Sequence, residues 1–194
     1  MTLSVVVCAL VSLGAFLLFS GDGPKSNDER AVADLPTPNL LHFDSDGTVF
    51  RVSFNREEFP IVPTSVASAK DRLSIDPVSY AALSRLKKLS RLSLANCDVK
   101  CLGVAWAING NLKSLDLYNA SIDEDELVSL VGNNCLAELM IDADRLSTKV
   151  VDGLSATKIR MIVIYNRRLL TKESRNRLRD INCEVRYSDR FSVD

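Results

Sequence analysis

His42 is the chain's only histidine, and so the first side chain to examine for acid–base work near neutral pH. It has no partner motif: the patterns GxGxxG, GxSxG, HExxH and the P-loop are all absent from the sequence. With no serine or cysteine nucleophile placed for it to activate, His42 reads as a hairpin residue and not as a catalyst. Asp44 and Asp46 invite comparison with a calcium loop. Position 12 counted from Asp44 is Asn55 where a bidentate Glu is required, so this cluster reads as turn chemistry around Asp46 and Gly47. Four consecutive acids, Asp123, Glu124, Asp125 and Glu126, could bind a metal. At a helix start, however, carboxylates oppose the positive end of the helix dipole, and that accounts for them. Cys97 and Cys101 lack the second pair that a zinc site needs, and Cys135 and Cys183 share no phase with them, so the expectation is reduced thiols. These residues point to no catalytic centre, no metal and no cofactor, hence to a protein that is not an enzyme.

The elements that would position any other site follow from length and pattern. The chain has 194 residues, 46% of them hydrophobic and 25% charged, with a net charge of -1, which suits one modest domain and argues against a nucleic-acid partner. Residues 3–20 carry no charge and just reach the length of a membrane-crossing helix. No basic residue precedes Lys25, and cleavage after Ser20 would leave bulky Leu18 at the -3 position. A single uncleaved N-terminal anchor, a cleaved signal and a buried helix stay open. The first holds the soluble domain at the membrane outside the cytoplasm, the second leaves it secreted or periplasmic. Cys8 belongs to this apolar run. Residues 21–39 read as a polar linker with Pro24, Pro36 and Pro38, and residues 40–74 as an N-terminal hairpin and cap.

Beyond that point one pattern recurs. Leu89, Leu92, Leu94, Cys97 and Val99 are matched by Leu112, Leu115, Leu117, Ala120 and Ile122, then by Leu136, Leu139, Ile141, Asp144 and Leu146, then by Ile159, Ile162, Ile164, Arg167 and Leu169. The starts are 23, 24 and 23 residues apart. Each L-x-L core alternates as a half-buried strand does, and the residues that follow change to helical spacing. Asp76 before Pro77, Asp123 with Glu126, and Ser147 stand where helix N-caps are needed, and Thr171 can start a last helix. Trp106 reads as packing on a short helix after Val99. This pattern resembles the leucine-rich repeat, and the ending from Arg177 to Tyr187 is similar to that of short exported or membrane-anchored bacterial proteins of that family. The resemblance implies an α/β solenoid of about four to five turns, with parallel concave strands and convex helices. Its repeats and C-terminal helix–strand cap would occupy residues 75–187, leaving 188–194 as a tail.

The same resemblance implies a working surface, because repeat solenoids bind with their concave strands. Residues between the buried leucines fall into columns: Arg91, Ser114, Glu138 and Met161; then Ser93, Asp116, Met140 and Val163; then Ala95, Tyr118, Asp142 and Tyr165. Adjacent strands lie ~4.8 Å apart, so Tyr118, Met140, Met161, Val163 and Tyr165 should form one apolar patch edged by Arg91, Asp116, Glu138 and Asp142. The expected function is a non-enzymatic protein–protein interaction module presented at the cell membrane, with Tyr118 and Tyr165 carrying the affinity. The alternative is a structural, self-associating envelope protein. Residues 158–190 hold ten basic and four acidic side chains, a surface that reads as a solvated cap or as a seat for an acidic partner or anionic lipid.

Overall fold

The chain alternates short strands with short helices because its apolar period switches between 2 and 3.6, and four of the helices start on a side-chain cap. The computed structural model describes residues 27–36, 38, 40–54, 72–100, 110–132 and 135–188. Strands β1 (Leu40–Phe43) and β2 (Val49–Ser53) form an antiparallel hairpin whose turn places Gly47 at φ 77°. Next come β3 (Leu73–Ile75), helix α1 (Asn27–Ala33) having preceded them all, and then helix α2 (Pro77–Ser84), β4 (Arg91–Ser93), β5 (Cys97–Val99) and β6 (Ser114–Leu117). Helix α3 (Glu124–Val131), β7 (Glu138–Asp142), α4 (Thr148–Ser155), β8 (Met161–Tyr165), α5 (Lys172–Leu178) and β9 (Glu184–Ser188) complete the described elements. The caps are local and form as their residues dictate. Asp76 accepts from the Ser79 amide, Asp123 from Asp125, Ser147 from Val150 and Thr171 from Ser174.

Seven strands make one sheet in the order β1-β2-β4-β6-β7-β8-β9, antiparallel between β1 and β2 and parallel elsewhere, while β3 and β5 pair separately. This corrects the expected leucine-rich-repeat solenoid with end caps: the residues build a mixed α/β sheet. The hairpin is not a separate cap, since Arg51, Val52 and Ser53 pair directly with Arg91, Leu92 and Ser93. The reason is that a two-stranded hairpin leaves its second strand with an unpaired row of backbone groups, and β4 supplies their partners. At the other end β9 is likewise a full member, with Ile162 opposite Val185. The repeated spacing is the length of one crossover. Each parallel step needs a connection that returns the chain to the same end of the sheet, and register partners Arg91, Ser114, Glu138, Met161 and Glu184 mark four such steps.

One face of the sheet is the core. Leu92, Leu115, Leu139 and Ile162 line up in register, as do Leu117, Ile141 and Ile164, and all are buried with Leu127, Leu130, Val150, Val151, Leu154 and Leu178 from the helices. Side chains of this size each contribute about 1.5–3 kcal/mol on full burial. Helices α3 and α4 pack closely at Gly153, where a Cβ would stand 3.1 Å from Val131 Cγ2.

Two further expectations change. Within the stretch read as a polar linker, α1 packs Ala31 into the core, and Asp28 accepts the Val49 amide at 2.9 Å. No helix among the described residues is long and apolar enough to cross a membrane, which corrects the expected transmembrane helix for that part of the chain. The run 3–20 on which the signal-anchor expectation falls lies outside the described residues, as do Cys8, Cys101 and Trp106.

Candidate functional site

Strand alternation sends every second side chain of the sheet away from the helices. On this open face, the parallel register of β6, β7 and β8 sets Ser114 beside Glu138 and Met161, Asp116 beside Met140 and Val163, and Asp142 beside Tyr165. Met140, Met161, Val163, Tyr118, Asp116 and Glu138 are each partly exposed, and Arg91 on β4 is exposed. The structure thus gathers the apolar residues read from the sequence onto β7, β8 and the residue that follows β6. Two of the nine candidates sit deeper. Tyr165 is 3% exposed and Asp142 5%.

Tyr165 is covered in part by its neighbours. Its ring meets that of Tyr118 edge-on, with centroids 4.8 Å apart and an interplanar angle of 69°, and its hydroxyl donates to Met140 Sδ at 3.8 Å. Tyr165 therefore supports Tyr118 from below and offers a partner little surface of its own. Asp116 is held too: one oxygen accepts from Ser93 Oγ at 3.1 Å and the other from the Tyr118 amide at 3.0 Å.

Asp142 belongs to a polar row along the strand ends that the residue pattern did not reveal. Asn96, Asn119 and Asn166 follow β4, β6 and β8 at φ 61°, 50° and 55°, the left-handed conformation that Asn tolerates better than most residues. Asn119 Nδ2 donates to Asn96 Oδ1 at 2.7 Å, Arg72 donates to Asn119 Oδ1 at 2.9 Å, and the Asn96 amide donates to the Tyr118 carbonyl. After β7 the chain turns into a 3-10 helix at Ala143. There the Asp142 carboxylate takes the place of a carbonyl, accepting the Asn119 amide and, at 2.7 Å, Asn166 Nδ2. The available signal was Asn recurring one residue before Cys97, Ala120 and Arg167.

Burial pushes the Asp142 carboxyl above the ordinary carboxylate range, the nearby Asp144 adds to it, and the two donors only partly offset this. The folded chain thus binds this proton more tightly than the unfolded chain does. Its stabilising contribution is full below the unfolded value and is lost as pH rises through the folded one. Relative to Asp142→Asn, the wild type is expected to lose stability from about pH 4 upward. Urea unfolding of both proteins at stepped pH measures this, and a constant difference, or one of opposite slope, would contradict it.

The remaining candidates have structural duties. Asp44 Oδ1 accepts the Ser45 amide at 2.7 Å, and Asp46 pairs with Lys88 through Oδ2 while its Oδ1 accepts from Thr48, contacts that hold the Asp46 carboxyl well below the usual range. Asp123 caps α3, Glu124 accepts from Ser147 and Asp125 pairs with Lys149. Among the described residues no group of three or more His, Cys, Asp or Glu is placed to hold a metal ion. In the basic segment, Arg177 bridges Asp152 at 2.5 Å and Glu173 at 3.1 Å, and Arg167 lies 4.4 Å over the Tyr187 ring. Cys97 is buried and its thiol lies 3.5 Å from the Ala95 carbonyl, while burial pushes the Cys183 thiol upward. Neither a model of a protein family nor a curated protein matches the chain.

Proposed function

We propose that the chain is a protein-binding module without catalytic chemistry, and that the open face of β6, β7 and β8 receives its partner. The observation that carries this reading is the adjacency of Tyr118, Met140, Met161 and Val163, partly exposed on the face away from the helices. Tyr and Met are enriched at the centres of protein interfaces, where charged residues are depleted. Asp116 and Glu138 flank the patch and suit a partner whose apolar contact is bordered by cationic groups.

The deep position of Tyr165 decides how to test this. A substitution there disturbs the support of the face, whereas Met161 and Val163 can be changed at its surface. Full-length chain is used to capture proteins from native extract beside the Met161→Lys, Val163→Lys double variant, and the affinity of each recovered protein is then measured. A partner of this face should bind the variant at least about thirtyfold more weakly, a loss of ~2 kcal/mol. Unchanged affinities for every recovered protein, with the variant still folded, would remove this face from the binding function.

A further inference from the structure

At the far end of the same open face, the sheet brings together three side chains that the residue pattern left in separate elements. His42 on β1 stands directly opposite Arg51 on β2, and Arg51 is the register partner of Arg91 on β4. Residues paired in this way share a face and lie ~4.8 Å apart from strand to strand. Two like charges side by side in a sheet are destabilising unless something neutralises them. Among the described residues neither arginine has a carboxylate within ion-pair distance, although Arg85, Arg145, Arg177 and Arg186 each have one. Along the outward row the next residues after Arg91 are Ser114 and then Glu138, which puts the first carboxylate of that row two strands, or ~10 Å, away.

We infer that Arg51, Arg91 and His42 form a binding site for a tetrahedral oxyanion of the sulfate or phosphate class. The guanidinium groups supply planar forks of N–H donors that match such oxygens, and the imidazole can add a third donor and a third positive charge. That third charge is what selects a dianion. A carboxylate is satisfied by one arginine fork, whereas a doubly charged group uses both arginines and a protonated histidine. The site concerns β1, β2 and β4, so it stands independently of the protein-binding reading of β6 to β8.

The charged groups facing the imidazole are Arg51 and Arg91. The turn carboxylates beyond it are engaged locally, Asp44 with Ser45 and Asp46 with Thr48 and Lys88. Partial burial and then the two arginines hold His42 below the ordinary imidazole value, so it is largely neutral near pH 7 when the site is empty. A bound dianion offsets the two arginine charges and sets its own oxygens beside the ring, which favours the imidazolium. Binding therefore takes up a proton and tightens as pH falls.

Because His42 is the only histidine, its imidazole proton signals are an unambiguous NMR reporter in the full chain. Sulfate, which keeps both charges from about pH 5 to 8, is added against chloride at matched ionic strength. The His42 titration midpoint should rise by about one pH unit, the tenfold preference for the protonated protein that linkage requires. Arg91→Gln, at an exposed position, and Arg51→Gln should each weaken sulfate binding about tenfold, while raising the midpoint of the sulfate-free protein. Inorganic phosphate and phosphoserine are the other two probes. Tighter binding of phosphoserine assigns the anion to a group carried on a larger molecule, and equal or weaker binding assigns a free ion. A His42 midpoint that sulfate moves no further than chloride does would overturn the site.

Discussion

Tyr165→Ala is expected to lower the unfolding free energy by about 3–5 kcal/mol, the range for removing a buried aromatic side chain. The ring is 3% exposed, packs edge-on against Tyr118 and reaches Met140 through its hydroxyl. Alanine would leave a cavity under the face on which the proposed function depends. Tyr165→Phe keeps the ring and loses the hydroxyl's contact to Met140 Sδ, so its cost should stay well below that of Tyr165→Ala. Urea unfolding of the two variants separates packing from polarity. If Tyr165→Ala changed stability by less than about 0.5 kcal/mol, as surface substitutions do, the ring could not be packed as described. The result also bears on function, because lost binding in Tyr165→Ala would follow from a collapsed support. Only the surface changes at Met161 and Val163 report on contact.

A second large effect is expected one layer away. Leu139→Ala should cost about 3–4 kcal/mol. Leu139 is fully buried in β7, between register partners Leu115 and Ile162 and under the helices. Its neighbour Met140 points to the other face and is partly exposed, so Met140→Ala should cost about 1 kcal/mol. The contrast between adjacent residues tests which face is core. A strand shifted by one residue would exchange the two values, because the side-chain period is 2. Equal costs would mean that both faces are covered, and the open face would then be unavailable to a partner.

The position of the patch was legible because strand alternation is local. Glu138, Met140 and Asp142 must lie opposite Leu139 and Ile141 whatever the rest of the chain does, and this is where they are found. Helix starts were legible for the same reason, since Asp76, Ser147 and Thr171 each bind an amide three residues on. The shape that these elements make was not. Residue spacing suggested a capped solenoid, whereas β2 joins β4 across 40 residues and makes the hairpin part of a mixed sheet. That pairing depends on an edge meeting an edge in space, and no local pattern encodes it. Helix α1 shows the same limit: a short polar segment becomes ordered through Ala31 in the core and Asp28 at the Val49 amide.

The candidate surfaces divide along the same line. Residue order and period by themselves determined which side chains alternate toward solvent, where helices begin, and that Tyr118, Met140, Met161, Val163 and Tyr165 fall in related positions. Tertiary structure alone decided that Tyr165 is buried, that Asp142 replaces a carbonyl in a row of asparagines, and that His42 and Arg51 stand beside Arg91. Periodicity is a property of one segment's backbone, so it can be read along the chain. Burial and charge proximity depend on which segments become neighbours, and in this protein the fold makes neighbours of residues as far as 47 positions apart.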